Sequence, residues 1–303
     1  MNLDFYNRLI ITVDKDRVFL DEPMNKHTTF RVGGNADYFV TPKNCEEVKN
    51  IVQLCQAFQM PYYIIGNGSN LLVGDKGYRG VIIQLYKEMN QISVNGDVVF
   101  AEAGALLSKI GSVALEHKLT GFEFAAGIPG TVGGAVVMNA GAYGGEMKDI
   151  IKCALVLTPE GEIITLKKDE LELGYRTSII AKKGYIVLGA EFLLAKGNPD
   201  DIRAKMNELK VQRVTKQPLE YPSAGSTFKR PEGYFAGKLI QDAGLRGFQV
   251  GGAQVSEKHC GFVINKDDAT AADVDELMKQ VSEKVFEEFG VKLEPEVKRL
   301  GEF

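Results

Sequence analysis

Two glycine-rich segments, GNGSNLL at 66–72 and GIPGTVGGAVVMNAGAYGG at 127–145, constrain this chain more than any other feature of its sequence. Glycine permits positive φ and lets backbone N–H groups approach an anion closely, which is how such loops hold pyrophosphates. The segments also contain short polar side chains that can hydrogen-bond a cofactor, namely Asn67, Ser69, Asn70, Thr131 and Asn139. Together the two segments predict a bound nucleotide cofactor.

The glycine spacing disfavours the two commonest phosphate-binding motifs. Gly66 and Gly68 are followed by Leu71 where the Rossmann fingerprint has its third glycine, and no P-loop motif occurs. One such loop alone would most often be a tight turn between strands. Two long loops in one chain favour a cofactor site of another kind.

Composition narrows the class of protein. The chain has 303 residues, 45% of them hydrophobic, which is enough for a folded protein of two or more domains. Its 36 basic and 40 acidic residues give a net charge of -4, so it lacks the excess of cations that binds nucleic acid. Apolar runs are far shorter than the roughly 20 residues that cross a bilayer. The amino-terminal segment has no signal-peptide pattern, which predicts a cytoplasmic location.

Cysteine and histidine are sparse and scattered. The four cysteines show no CxxC spacing, and the neighbours His259 and Cys260 would rarely point at one metal ion. The sequence therefore predicts neither a disulfide nor a metal site.

Local patterns predict the elements before and after the first glycine loop. Asn44 is placed to cap a helix that ends near Met60, because Glu47 lies three residues later and apolar residues recur on one face. An apolar strand at 62–65 leads into the loop, and 81–85 is the next buried strand. This part is predicted to be a β-α-β unit.

The chain after this unit is predicted to contain both helices and strands. Residues 153–167 predict a hairpin, and Gly197 with the following Asn-Pro predicts a linker, so we expect a domain boundary at about 197. Thr270 and Asp273 predict the cap of a long amphipathic helix. The segment VKLEPEVKRLG at 291–301 predicts one extended strand.

Six blocks in order along nearly the whole chain resemble the UDP-N-acetylenolpyruvoylglucosamine reductase family, also called UDP-N-acetylmuramate dehydrogenases. The blocks are NKHTTFRVGG at 25–34, GNGSNLL at 66–72, AGIPGTVGGAVVMNAGAYGGE at 126–146, GYRTS at 174–178, SAGSTFKRP at 223–231 and LEPEV at 293–297. The resemblance implies an α+β fold, with a two-part FAD-binding domain of the vanillyl-alcohol-oxidase (PCMH) type and a smaller α+β substrate domain.

The domains that this resemblance implies are continuous in sequence. Residues 1–24 are expected to be a helical leader, and 25–196 the FAD-binding domain, with subdomains of about 25–90 and 91–196. Residues 197–303 are expected to bind the substrate, with a C-terminal strand that returns to the active site.

The resemblance also implies the reaction. NADPH reduces non-covalently bound FAD, and the hydride then passes to the enolpyruvyl methylene carbon, giving UDP-N-acetylmuramate for peptidoglycan. By motif, Arg176, Ser226 and Glu296 occupy the family's catalytic positions. Arg176 would stabilise the developing negative charge and Ser226 would donate a proton. Glu296 would either be kept protonated by burial or orient Arg176 or a water.

Cofactor contacts are expected from the glycine loops and substrate contacts from nearby cations. The expected FAD residues are Arg31, Gly66, Asn67, Gly68, Ser69, Asn70, Leu71, Gly127, Ile128, Gly130, Thr131, Gly133, Gly134, Asn139 and Ala142. The expected contacts to the UDP diphosphate are Lys216, Lys229 and Arg230. The partners are expected to be small molecules only, and the protein a monomer.

Two other functions are compatible with the sequence. An FAD-dependent oxidase could share the fold, although no histidine or cysteine lies in either glycine loop to tether the flavin covalently. A nucleotide-sugar binding protein without chemistry is the second alternative. Only 50 residues separate Arg176 from Ser226, so the chain resembles the shorter form of the family, which lacks a tyrosine lid.

Overall fold

The computed structural model describes residues 2–303, which form two compact units that are each discontinuous in sequence. The first unit contains residues up to 19, 38–67 and 80–212, and the second contains residues 20–37, 68–79 and 213–303. The domain boundary that the sequence predicts at about 197 stays a prediction.

The helices are distributed along the whole chain. They are α1 (Leu3–Thr12), α2 (Cys45–Ala57), α3 (Leu107–Glu116), α4 (Val132–Val137), α5 (Met147–Ile150), α6 (Ile179–Lys183), α7 (Pro199–Lys216), α8 (Ala236–Asp242) and α9 (Ala271–Phe289). Short 3-10 turns occur at Lys15–Arg17, Met24–Lys26 and Lys168–Leu171. None of the helices within residues 2–303 has the length and apolar character needed to span a membrane.

The strands are mostly short. They are β1 (Val18–Pro23), β2 (Asn35–Val40), β3 (Tyr62–Ile65), β4 (Leu71–Val73), β5 (Tyr78–Gln84), β6 (Ile92–Asn95), β7 (Val98–Glu102), β8 (Leu119–Thr120), β9 (Gly141–Ala142), β10 (Gly145–Glu146), β11 (Ile151–Leu157), β12 (Ile163–Lys167), β13 (Ile186–Leu193), β14 (Ala195–Lys196), β15 (Gln249–Val250), β16 (Ala253–Val255), β17 (Val263–Asn265) and β18 (Lys298–Leu300).

The parallel pair β3 and β5 of the first unit confirms the predicted strands around the first glycine loop. Ile65 pairs with Gln84 at the end of this ladder, so the loop that starts at Gly66 leaves the carboxyl end of β3. The helix before β3 is α2, and the Asn44 side chain accepts a hydrogen bond from the Glu47 N–H at 2.9 Å, as its sequence predicts. The sheet containing these strands has the order β1-β2-β5-β3.

The second sheet of the first unit is antiparallel, with the order β12-β11-β13-β7-β6. Strands β11 and β12 form the predicted hairpin, and Gly161 in its turn has φ of +85°. Helix α4, which lies within the second glycine-rich segment, packs on β13. Val136 of this helix is part of an apolar core that also includes Phe122 and Phe192.

A partly buried ion pair fixes the start of α2 in the first unit. The Arg17 guanidinium donates to both carboxylate oxygens of Glu47, at 2.6 and 3.0 Å, and also to the Thr41 carbonyl. Burial of Glu47 alone would raise its pKa, but the bonds from Arg17 and from the Lys43 N–H together hold that pKa below its ordinary value. Glu47 is therefore ionised and paired at neutral pH.

The second unit is built around α9. The Thr270 hydroxyl accepts from the Asp273 N–H at 3.0 Å and Asp273 accepts from the Thr270 N–H at 2.9 Å, which is the predicted capping box. The apolar side of α9, including Leu277 and Val281, packs in a core beside the sheet β15-β16-β17. Strands β4 and β18 pair in parallel in the same unit.

The C-terminal segment corrects one prediction. Residues 291–301 do not form one extended strand, since only Lys298–Leu300 is regular. Pro295 has no N–H for a continuous ladder, and it makes an isolated bridge with Phe228 instead. The segment around Glu296 is thereby bound to the chain that follows Ser226.

Candidate active site

The two glycine loops meet in the first unit. A Cβ atom at Gly66 would lie 2.0 Å from the Thr131 hydroxyl oxygen, so only glycine allows this approach. The Asn67 side-chain amide donates to the Pro129 carbonyl at 3.2 Å. Below the loop, the buried Gln84 amide donates to the Gly66 carbonyl at 3.4 Å. The pairing of these loops, 62 residues apart, is a tertiary contact that fits their predicted shared role.

The first loop presents unused hydrogen-bond donors. The backbone N–H groups of Asn67, Gly68, Ser69 and Asn70 donate to no protein acceptor within residues 2–303. Gly68 has φ of +61°, and a Cβ there would lie 2.0 Å from the His27 carbonyl oxygen. Successive unpaired N–H groups in such a turn are the usual arrangement for holding a phosphate.

Glu296 is tied to the same loop in the second unit. The Asn70 side-chain amide donates to the Glu296 carbonyl at 3.2 Å, and the Lys298 N–H donates to the Asn70 carbonyl at 3.0 Å. Leu71 continues this register as the first residue of β4, paired with Lys298. The Glu296 residue is only 9% exposed.

Ser226 lies on the segment next to Glu296. The Glu296 N–H donates to the carbonyl of Thr227 at 2.8 Å, and the fully buried Thr227 hydroxyl accepts from the Val263 N–H at 2.9 Å. Gly225, with φ of +76°, turns the chain so that Ser226 is exposed. The structure therefore brings Ser226 and Glu296 onto adjacent segments, although they are 70 residues apart in sequence.

Arg176 belongs to the first unit and lies in a tight turn. Gly174 and Thr177 exchange backbone hydrogen bonds at 3.1 and 3.3 Å, and Arg176 within that turn has φ of +54°. Its guanidinium carbon is 5.2 Å from the centroid of the Tyr175 ring. A positive φ is uncommon for a long side chain, and strained residues of this kind cluster at active sites.

Comparisons with known proteins show which family the chain resembles. Residues 36–167 match the family model described as FAD binding domain, and residues 217–300 match that of UDP-N-acetylenolpyruvoylglucosamine reductase, C-terminal domain. The UDP-N-acetylenolpyruvoylglucosamine reductase of Agathobacter rectalis is 56% identical over 100% of both chains. That of Clostridioides difficile is 53% identical over 99% of both.

The chain belongs to the UDP-N-acetylenolpyruvoylglucosamine reductase family. The solved UDP-N-acetylenolpyruvylglucosamine reductase of Thermus caldophilus is 36% identical, covers 93% of this chain and 98% of its own, and superposes with a TM-score of 0.80. A grass pollen allergen with glucose dehydrogenase activity is only 14% identical and matches 65% of this chain and 45% of its own, with a TM-score of 0.51, which shows likeness of fold alone.

Membership of the reductase family confirms several of the predictions. The α+β fold with an FAD-binding domain, the assignment as an FAD-binding oxidoreductase and the family itself are all confirmed. The individual site residues stay predictions.

The three cations predicted to bind the substrate occupy different surroundings. Lys216 is the exposed last residue of α7. Lys229 is paired with Glu294, whose pKa is held below its ordinary value by that ammonium. The Arg230 guanidinium carbon lies 3.9 Å from the centroid of the Phe235 ring.

The predicted FAD residues also differ in exposure. Gly127 and Gly134 of the second loop are exposed, whereas Thr131 and Asn139 are buried. Arg31 is exposed and has φ of +57°. The remaining second-loop residues of the prediction are partly exposed, namely Ile128, Gly130, Gly133 and Ala142.

Two residues that hold these loops were missed by the sequence analysis. The His27 ring nitrogen lies 2.9 Å from the Glu22 carboxylate, and the His27 carbonyl is the atom against which Gly68 packs. Glu146 accepts a hydrogen bond from Asn139 at 2.9 Å. A signal for Glu146 was present, because it is the first charged residue after the uncharged run 124–145.

Replacing Gly68 with alanine is expected to lower both stability and flavin content. The matched control is Gly96→Ala, since Gly96 has φ of +62° but open space around its Cβ position. The control should cost about 1 kcal/mol of unfolding free energy for positive φ alone. Gly68→Ala should cost about 1–3 kcal/mol more, because the methyl group overlaps the His27 carbonyl.

Urea unfolding and flavin absorbance per polypeptide would measure these two effects. Equal unfolding costs in the two variants, with normal flavin content in both, would contradict a role for this close approach.

Proposed function

We propose that this protein reduces the enolpyruvyl ether of UDP-N-acetylenolpyruvoylglucosamine with electrons from NADPH, and that Arg176, Ser226 and Glu296 act on the substrate. The observation that carries these roles is the backbone hydrogen bond from Glu296 to Thr227, at 2.8 Å. It holds Glu296 next to Ser226, while Asn70 of the first glycine loop donates to the Glu296 carbonyl. Two motif residues thus share one framework with the cofactor loop.

The residues around the first loop fit FAD. The four N–H groups of residues 67–70, which have no acceptor within residues 2–303, would hold its diphosphate. Gly66 and Gly68 pack so closely on neighbouring atoms that a side chain at either position would overlap them. The exposed glycines of the second loop, Gly127 and Gly134, offer backbone surface that a flat ring system can approach. When bound, FAD supplies the two-electron transfer that links NADPH to the enolpyruvyl group.

Arg176 is assigned to the carboxylate of the substrate. Reduction of the methylene carbon places negative charge on the neighbouring carbon and its carboxylate. A guanidinium stays charged and offers a planar pair of donors to such a group. Fixed donors of this kind lower a reaction barrier by about 3–4 kcal/mol. The rigid turn at Gly174–Thr177 provides the fixed placement that this effect requires.

Ser226 is assigned to proton donation. Its hydroxyl is exposed on a turn whose backbone is held by Thr227 on one side and shaped by Gly225 on the other. A positioned hydroxyl can give its proton to the carbon beside the carboxylate as a general acid. This step sets the configuration of the product.

Glu296 is assigned to support that proton transfer. It is nine-tenths buried, and a buried carboxyl near a developing anion must either hold a proton or be paired with a cation. Both states fit the proposed role, the first by donating a hydrogen bond to the substrate and the second by orienting a cationic donor.

The UDP diphosphate is assigned to cations near Ser226. Lys216 is the most available of the three predicted residues, because it is exposed at the end of α7. Lys229 must exchange its partner Glu294 for the phosphate. Nucleotide sugars and NADPH are intracellular small molecules, so this function implies a cytoplasmic enzyme, which we propose to be a monomer.

A double-mixing experiment tests the function. Purified protein is mixed with NADPH in anaerobic buffer, and then with UDP-N-acetylenolpyruvoylglucosamine, while the flavin absorbance band is followed. We expect the band to bleach with NADPH and to return with the sugar. A band that bleaches with an alcohol substrate instead would favour an oxidase. A colourless protein that binds the sugar would favour a binding protein.

A further inference from the structure

We propose that Asn139 is a positioning residue that holds the Arg176 turn in place through Gly174, with Glu146 as its second anchor. The inference rests on the proposed role of Arg176. It changes the predicted role of Asn139, which the sequence placed among the side chains that contact FAD.

The amide of Asn139 is already committed within the first unit. Its nitrogen donates to Glu146 at 2.9 Å and to the Gly174 carbonyl at 3.0 Å, and its oxygen accepts from the Lys148 N–H at 2.9 Å. An asparagine amide has two N–H donors, so both are used. The residue is 1% exposed. Its side chain therefore has no donor left for a cofactor, and it connects two chain segments 35 residues apart.

The Gly174 carbonyl is the atom through which Asn139 can act on Arg176. It accepts from Asn139 and also from the Thr177 N–H, which closes the turn that contains Arg176. On the other side of the turn, the Ser178 hydroxyl donates to the Val137 carbonyl at 2.6 Å. Both flanks of Arg176 are thus bonded to the short segment 137–139.

These hydrogen bonds hold Arg176 in a strained backbone conformation. Arg176 has φ of +54° and Asn139 itself has φ of +45°. A left-handed conformation costs a long side chain about 1–2 kcal/mol, and such residues keep it only where the surroundings over-determine it. Without the Asn139 amide, the turn is free to relax, and the guanidinium moves with it.

Glu146 adds charge to the same network. Its carboxylate is paired with the Lys148 ammonium at 2.8 Å. The hydrogen bond from Lys148 has the largest effect on the Glu146 pKa, which lies below its ordinary value, and Asn139 and the positive charge of Arg176 lower it further. Glu146 is therefore an anion at neutral pH, and it both accepts from Asn139 and attracts Arg176.

The test uses Asn139→Gly, because glycine adopts a φ of +45° without strain and the change removes the whole side chain together with its hydrogen bonds. The matched control is Asn90→Gly, in which an exposed turn asparagine loses its bond to the Lys87 carbonyl, at 2.8 Å. Flavin content is measured first. The oxidation rate of the NADPH-reduced enzyme by UDP-N-acetylenolpyruvoylglucosamine is then measured for both variants, for Arg176→Ala and for Asn139→Gly/Arg176→Ala.

We expect Asn139→Gly to keep its flavin and to be oxidised about 10–100-fold more slowly, because a misplacement of about 1 Å has effects of this size. The double variant should be no slower than Arg176→Ala, since Asn139 acts through Arg176. Asn90→Gly should match the unaltered protein.

Four results would overturn the inference. Flavin loss in proportion to activity would make Asn139 a cofactor-binding residue. Multiplied effects in the double variant would make its action independent of Arg176. A normal rate in Asn139→Gly together with a slow Arg176→Ala would show that Asn139 does not position Arg176, while the proposed role of Arg176 would stand. A normal rate in Arg176→Ala would instead refute the proposed role of Arg176 and the inference with it.

Discussion

Replacing Ser226 with alanine is expected to leave flavin reduction by NADPH intact and to slow oxidation of the reduced flavin by the sugar about 10²–10⁴-fold, the usual contribution of a positioned general acid. The physical reason is that only the second half of the reaction needs a proton at carbon. The change removes one oxygen atom from an exposed side chain and leaves the Thr227 hydrogen bonds untouched.

Stopped-flow absorbance at the flavin band separates the two halves of this prediction. Ser223→Ala is the matched control, since Ser223 lies three residues earlier in the same loop and its backbone bridges to Ile264. It should behave as the unaltered protein does. If flavin reduction collapses together with flavin oxidation in Ser226→Ala, Ser226 has a structural role and the assignment as proton donor is wrong.

The elements that the sequence predicted well are those fixed by neighbours in the chain. Helices α2 and α9 begin where Asn44 and Thr270 cap them, because a cap is a contact between residues three apart. The β11–β12 hairpin depends in the same way on a turn at Gly161. Motif order carried the family assignment, since six blocks in sequence are far more specific than any single one.

Contacts between distant segments were not predicted from the sequence. Asn139 was predicted to bind FAD because it is a polar residue in a glycine-rich run, yet its partner Gly174 is 35 residues away and only folding brings it near. The partner of Lys229 was missed in the same way, because only the bridge between Phe228 and Pro295 places Glu294 beside it. Charge and polarity along the chain show which side chains could contact a cofactor or a substrate. Tertiary contacts decide which of these side chains are already hydrogen-bonded or ion-paired within the protein.

The conformation of Arg176 is a further feature that no local pattern indicated. GYRTS contains a glycine, which would be the natural residue for a positive φ, yet Arg176 has the positive φ in this turn. The strain is tolerated because Gly174 and Thr177 close the turn and Asn139 binds it from the side. A guanidinium held in this way has less freedom to lose when it meets a carboxylate.

Replacing Arg176 with lysine is therefore expected to slow oxidation of the reduced flavin by the sugar about 10²-fold, and Arg176→Ala about 10³-fold, which is the usual range for loss of a fixed donor to a developing anion. Lysine keeps the charge but not the planar pair of donors. Flavin reduction by NADPH should be retained in both variants, because the negative charge on the substrate develops only in the second half of the reaction.

Arg8→Lys is the matched control for this pair of variants. The Arg8 guanidinium carbon lies 5.4 Å from the Phe58 ring centroid, much as Arg176 lies 5.2 Å from that of Tyr175, so the control measures the loss of a similar ring contact elsewhere in the same unit. Millimolar guanidinium ion should partly restore the rate of Arg176→Ala, since it supplies the missing fork of donors to the vacated space. If the Arg176→Lys enzyme keeps the unaltered rate, a point charge is sufficient. The planar pair of guanidinium donors is then not the source of the stabilisation.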